Sequence, residues 1–483
     1  MESFESSGVW WLPDSSNEKV VGLLRYSTTE GFSLTVPYGN LGGMKHWAAR
    51  INQSENTPVA LGVLQNGKHV TLLNLVMTNM TLIMPGAGSE KYHSSCGFVG
   101  ATHVDSNLQT DKVRLAFTHL RDWVVNHPSA LKRAVESEGN AQSFDYHYEN
   151  PEPEELAKGD GWTLFLVHTF SIPYASLTGF NLIHDCELEI QFDRPMSFER
   201  MSTEFVGPLW KFLIFCLDRD INNTSLRIQH TASGEWMDVG RHQFALRTPD
   251  EVVSEPFMLL SRPQLGERVG QVLSSWLTLS DDERVAVALL TELISNRSML
   301  RDLRFLVAAQ ALETLARVDA REFELKSGEF ERRVSIATDS ISDSKVRNWV
   351  ARKLKYANER AGSELLNDLT SNIGGYVDKI APDRKSLMKD IRANRNFYTH
   401  RDSRRVKRSL VGKRLYVLTQ AVILLLKAAT LRRLGFTEDE TSSIMGECQS
   451  AIHWRSRTAK QYPFNSSSKS FRTELQGGVS EES

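Results

Sequence analysis

Cysteine is scarce, with four residues in 483: Cys96, Cys186, Cys216 and Cys448. They lie far apart, form no Cys-x-x-Cys pair, and have no histidine at an interval typical of zinc ligands. Neither a disulfide framework nor a metal site is therefore expected, and a reducing, cytoplasmic setting fits. Net charge is nearly absent too, since 57 basic residues face 59 acidic ones. No global field draws the chain toward nucleic acid or membrane, so any such attraction must be local. Long hydrophobic runs are missing. The most apolar window, Leu415 to Leu426, sits between Arg414 and Lys427 and falls short of the roughly 20 residues that span a bilayer, which predicts a buried helix and no membrane association. The opening residues, Met1 to Ser7, are acidic where a secretory signal is basic, so no such signal is expected. There is no glycine-rich phosphate loop, no His-Glu-x-x-His, no Gly-x-Ser-x-Gly, no paired-carboxylate spacing and no internal repeat. Nucleotide-driven, metalloprotease and hydrolase-fold chemistries lose their support, and no cofactor is expected.

What is present is an ordinary globular composition, 41% hydrophobic and 24% charged, in a chain long enough for two to four domains. Up to about Arg262, Gly, Pro and Asn cut the chain into short stretches rich in Val, Leu, Phe, Trp and Thr, such as Lys19–Tyr26, Phe32–Val36 and Trp162–Phe170. These read as strands. Val59–Leu64 and His69–Met77 flank Gln65-Asn66-Gly67-Lys68, where an Asn-Gly pair offers two residues able to take positive φ, so a hairpin is expected. Within this half Ser197–Leu217 reads as helical, because Met201, Phe205, Leu209, Phe212, Leu213 and Cys216 recur every three or four residues.

Beyond Pro263 only Pro382 and Pro463 remain, and 3.6-residue periodicity takes over. Ser280-Asp281-Asp282-Glu283 has the pattern of a capping box. Phe305, Leu306, Ala309, Leu312, Leu315 and Ala316 form one apolar stripe, and Leu415–Leu434 reads as the longest core helix. The expected fold is α+β: a β-rich domain with a few helices over 1–262, an all-α bundle over 263–460, and a disordered tail over 461–483.

One tract carries chemistry. Between Arg384 and Arg414 there are twelve Lys/Arg against Asp390 and Asp402 alone, enough local charge to attract a phosphodiester backbone. Inside it lies Arg395-Asn396-Phe397-Tyr398-Thr399-His400, on a helix expected to begin after Pro382-Asp383. At 100° per residue Asn396 and His400 are about 40° apart, whereas Arg395 and His400 are about 140° apart. A frayed last turn, or two such helices across a two-fold axis, would let both residues reach one phosphate. Leu387, Ile391 and Tyr398 share a face that reads as core. Glu313, within the apolar stripe of its own helix, either pairs with Arg395 or faces water. Arg404-Arg405-Val406-Lys407-Arg408 is either an RNA contact or a solvated loop. A second Arg-x4-His spacing, Arg114 to His119, falls in the β-rich half and reads as coincidence.

The chain resembles the HEPN domains, specifically the ApeA-like HEPN proteins of bacterial phage defence. The resemblance rests on Arg395-Asn396-x3-His400, on the helix Phe305 to Leu315, and on the closing helix through Tyr416 to Leu434-Gly435. In the first half it rests on Trp10-Trp11-Leu12-Pro13, the Gly-Leu-Leu strand at Gly22, Val99-Gly100-Ala101-Thr102-His103 and Leu120-Arg121-Asp122-Trp123. It implies a metal-independent endoribonuclease, working as a homodimer in abortive infection, with RNA (tRNA among the candidates) as substrate and a phage-derived trigger. Carried to matching positions, His400 would be the general acid or base, a role suited to histidine's ordinary pKa near 6.5. Arg395 would grip the scissile phosphate, Asn396 would orient His400 or a phosphate oxygen, and Arg392, Arg401, Arg404, Arg405, Lys407 and Arg408 would contact the RNA. The products would be a 2′,3′-cyclic phosphate and a 5′-hydroxyl. The alternative is a non-catalytic HEPN-like protein that dimerises or holds RNA while the first half senses a ligand.

Overall fold

The computed structural model describes residues 1–43, 57–81, 88–104, 108–124, 129–134, 143–148, 150–176, 179–242, 252–318, 325, 327–355, 357, 358, 360–400 and 409–461. Two compact units divide the chain. The first comprises Met1–Leu217, Ile221–Glu255 and Ser261–Leu277; the second takes Asp218–Asp220, Pro256–Leu260 and the chain from Thr278 onward. The β-rich first half and helical second half are as the sequence predicts. The sequence boundary at residue 262 lies short of this division. The reason is that the helix Val269–Leu277 packs on a strand of the first unit, Glu154–Gly159, and the Trp276 indole donates to the Pro208 carbonyl at 2.8 Å. The tail over 461–483 lies, from residue 462, outside the described residues.

In the first unit a ring of strands closes on itself. It is formed by β1 (Phe4–Trp11), β2 (Val20–Ser27), β3 (Gly31–Val36), β4 (Thr57–Leu64), β5 (His69–Thr81) and β6 (Ser89–Ser94), ordered β5-β4-β1-β2-β3-β6 with β6 returning to β5. Every pairing is antiparallel, and alternate side chains fill the interior around Trp10, Leu24, Phe32, Leu34, Leu72 and Tyr92. The Trp10 ring takes the space that a side chain at position 62 would need, since a Cβ on Gly62 would lie 2.4 Å from it. The expected β4–β5 hairpin forms, with one difference at its turn. Only Gly67 takes positive φ, because Leu64 N–H to Lys68 O closes a three-residue loop, Gln65 to Gly67, rather than a two-residue one.

From β5 the sheet continues, without closing, through β7 (Cys96–Gly100), β15 (Trp236–Arg241), β14 (Asn223–His230), β8 (Gln109–Phe117), β13 (Gly179–Ser197), β12 (Trp162–Ser176) and β11 (Glu154–Gly159). Among the described residues, the strands β9 (Ser129–Ala134) and β10 (Ser143–Tyr148) pair only with each other. One face of the open sheet is apolar: the register sets Leu166 against Leu188, Leu188 against Leu115, and Leu115 against Leu226. The helical run from Phe198 to Leu217, which contains a π-turn at Ser202–Val206, packs here through Phe205 on Trp162 and Phe192. The opposite face is charged, with Arg114 on Glu189 and Arg227 on Glu187, each at 2.5 Å.

The helical unit is assembled from α1 (Asp281–Ser295), α2 (Arg301–Val318), α3 (Gly362–Ile373), α4 (Arg384–His400), α5 (Gly412–Arg433) and α6 (Gln449–Gln461), with further helices between them. Ser280 and Glu283 close the expected capping box on α1. The central element is α5, which packs on all five of the others and so is apolar on every side. By length and composition it could cross a membrane, but 89% of its most apolar window is buried inside the protein.

Candidate functional site

Asp383 starts α4, its carboxylate accepting from the Ser386 N–H at 3.0 Å and the Ser386 hydroxyl at 2.6 Å. These bonds favour the charged form and hold the carboxyl below its usual range. Leu387, Ile391, Asn394 and Tyr398 recur along one buried face. Three of these are core side chains, as their spacing predicts. Asn394, the polar residue within the stripe, is engaged at both ends of its amide. Wholly buried, it donates to the Asp390 carbonyl and accepts the Leu410 N–H at 2.6 Å. Tyr398 donates its hydroxyl to the Leu410 carbonyl, also at 2.6 Å. Both backbone groups of Leu410 are thus fastened to the helix that carries Arg395 and His400. Asn394→Leu keeps the bulk but leaves the Leu410 N–H without its acceptor. It is expected to cost about 1–3 kcal/mol of stability, read as a lowered denaturant midpoint; an unchanged midpoint would show that the closure is not held this way.

Arg395, flanking that stripe about 40° round from Ile391, meets Glu313 of α2, Nη2 to Oε2, at 3.0 Å, with 35% and 24% of the two side chains exposed. Of the two alternatives for Glu313, the structure adopts the ion pair. Arg395 Nη1 also approaches Asn396 Oδ1 at 3.4 Å. Together they line a pocket of about 200 Å³ whose other walls are Ala316 and Arg317 of α2, Gly362, Leu365 and Leu366 of α3, and Arg392 of α4. Three guanidiniums against one carboxylate leave the pocket two positive charges in excess, a setting for a phosphate. Two contacts occupy only part of the Arg395 guanidinium, which has five N–H donors.

His400 is the last residue of α4; it is exposed and stands outside the lining of this pocket. Four residues beyond Asn396, it lies one helical turn, about 6 Å, along the same face. One chain therefore gathers Arg395, Asn396 and Arg392 at the pocket and leaves His400 out of its lining. Arg401, Arg404, Arg405, Lys407 and Arg408 lie outside the described residues.

The second Arg-x4-His spacing is taken up structurally. Arg114 lies on a strand with its guanidinium 4.6 Å from the Trp236 ring, and His119 is buried against Asp122 at 2.8 Å with φ of 63°. Arg317 in the pocket and Asn394 behind it are not legible as site residues in the sequence, although Asn394 gives a signal as the polar member of an apolar stripe. All four cysteines are free. The intervals between cysteines give no hint of one grouping that the fold makes: His168, His184 and Cys186 are buried together with their ligand atoms within 4.8 Å of one another. The available signal is the two-residue interval from His184 to Cys186, which on a strand puts both on one face.

No curated protein and no solved structure is detectably similar to the chain. Residues 5–276 match the family described as ApeA N-terminal domain 1, which covers the closed ring, the open sheet and the helices packed on it, and residues 306–440 match Apea-like HEPN. The second match spans most of α2 and all of α3, α4 and α5, the helices that form the arginine pocket and the buried element beneath it. A HEPN domain brings with it an RNase-like or nucleotide-related role in defence. In the order and extent of both parts, the chain belongs to the ApeA-like HEPN family.

Proposed function

We propose that the protein is an endoribonuclease of anti-phage defence whose cleavage step needs no metal ion, with the helical unit as effector and the β-rich unit as sensor or regulator. The observation that carries this reading is the cationic pocket of Arg392, Arg395 and Asn396 with His400 one turn beyond it on the same helix. Arg395 binds the scissile phosphate and stabilises the charge that develops on its oxygens. His400 takes the proton from the 2′-hydroxyl or gives one to the leaving 5′-oxygen, and Asn396 orients His400 or a phosphate oxygen. Attack by the 2′-oxygen on phosphorus expels the 5′-oxygen, leaving a 2′,3′-cyclic phosphate and a 5′-hydroxyl. Because one chain holds Arg395 and His400 apart, a second copy across a two-fold axis supplies the complementary half of the site. Arg392, with Arg401, Arg404, Arg405, Lys407 and Arg408, carries the flanking RNA by its backbone. Activity raised above its basal level on infection would halt the host as abortive infection, with tRNA among the candidate substrates.

The test is to incubate the intact protein with total RNA in EDTA and to sequence the ends. Cyclic-phosphate and 5′-hydroxyl ends are expected to accumulate without added metal. Ends that appear only when Mg²⁺ is restored would overturn the mechanism, and intact RNA bound without cleavage under either condition would favour the binding-only alternative.

A further inference from the structure

The register of β12 and β13 puts His168 directly opposite Cys186, and His184 two residues before Cys186 on the same face. This is the apolar face of the open sheet, where Leu164, Leu166, Leu188 and Ile190 are buried. The stripe along β12 therefore runs Trp162, Leu164, Leu166 and then His168; along β13 it runs Phe192, Ile190, Leu188, Cys186 and then His184. Two imidazoles and a thiol stand where the pattern calls for hydrocarbon, and His168, His184 and Cys186 are 7%, 3% and 0% exposed. Polar groups on a buried face cost stability unless they are engaged.

The three side chains engage one another within hydrogen-bond reach, and their spacing is also that of a ligand set. His168 Nδ1 lies 3.0 Å from His184 Nε2, and Cys186 Sγ lies 3.4 Å from the first nitrogen and 4.0 Å from the second. A tetrahedral zinc ion with its usual bond lengths to nitrogen and sulfur has N···N edges of about 3.3 Å and N···S edges of about 3.6 Å. The three observed separations straddle those edges. Soft thiolate with two imidazoles is a donor set that selects zinc over magnesium or calcium. The short helix Leu120–Val124 packs on β13, and Arg121 Nη1 donates to the His184 carbonyl at 3.3 Å, which steadies the backbone that presents one imidazole.

We propose that His168, His184 and Cys186 bind one Zn²⁺ ion, with water completing a tetrahedral shell, and that this ion staples β12 to β13 just before their register slips between Ser171 and Tyr174. None of the three residues takes part in the cleavage reading, so the two proposals stand or fall separately.

Intact protein equilibrated with zinc and freed of excess by gel filtration is expected to retain one zinc per chain by elemental analysis. Titration of metal-free protein with Co²⁺ is expected to give a thiolate-to-cobalt charge-transfer band that saturates at one equivalent and is displaced by zinc. The band should vanish in Cys186→Ser and persist in Cys96→Ser. Folded wild-type protein that retains no zinc and gives no charge-transfer band would overturn the proposal, even if Cys186→Ser fails to fold, as would a band that survives in folded Cys186→Ser. In that case the trio is a hydrogen-bonded core cluster only.

Discussion

His400→Ala is expected to lower RNA cleavage by a factor on the order of 10²–10⁴, the usual contribution of one general acid or base, while fold and RNA affinity stay close to the parent. The structure supports the separation, because His400 is exposed at the end of α4, outside the apolar stripe and beyond the Asn394 and Tyr398 bonds to Leu410. Its removal should change stability by no more than about 0.5 kcal/mol. Arg395→Ala should also lose cleavage, by about 10²–10³, and some RNA affinity as well, since it uncovers the Glu313 carboxylate in the pocket. Single-turnover rates, RNA binding and thermal melting on the same preparations check all three statements. The control must be an exposed histidine such as His453. His119, at the coincidental second spacing, does not serve, because it is buried on Asp122, whose carboxylate also accepts the Val253 N–H. Parental cleavage by a folded His400→Ala protein would remove the catalytic assignment.

Lys427→Met is expected to destabilise the helical unit by about 3–5 kcal/mol. Lys427 is the one ionisable residue among the buried positions of α5, 5% exposed, and its Nζ lies 2.5 Å from Asp218 Oδ1; Ser450 donates its hydroxyl to the other carboxylate oxygen. Removing one partner leaves a buried charge uncompensated. Lys427→Met combined with Asp218→Asn should recover much of the loss, because the stranded charge disappears and asparagine tolerates the left-handed backbone, φ of 53°, that Asp218 adopts. Denaturant unfolding followed by far-ultraviolet circular dichroism reads both variants. A single variant within about 0.5 kcal/mol of the parent would show that the pair is dispensable.

Local interactions had already decided much in the amino-acid order. The hairpin of β4 and β5 follows from two strand-like runs around Asn66-Gly67, and the start of α1 from a serine and a glutamate three residues apart. The buried face of α4 follows from Leu387, Ile391 and Tyr398 at helical spacing, and the separation of Arg395 from His400 from 100° per residue. Each depends on residues a few positions apart, where chain geometry leaves little choice. Tertiary structure alone decided which distant groups meet. An alternating strand shows which face is buried but not its neighbour, so the closure of the ring by β6 on β5 could not be read from the pattern. The same holds for Glu313 on Arg395, for Asn394 on Leu410, and for Lys427 on Asp218, each a polar residue whose partner is fixed by packing. It holds most fully for His168, brought to His184 and Cys186 by a strand register. Burial makes a polar partner necessary, and only the assembled fold determines which partner is within reach.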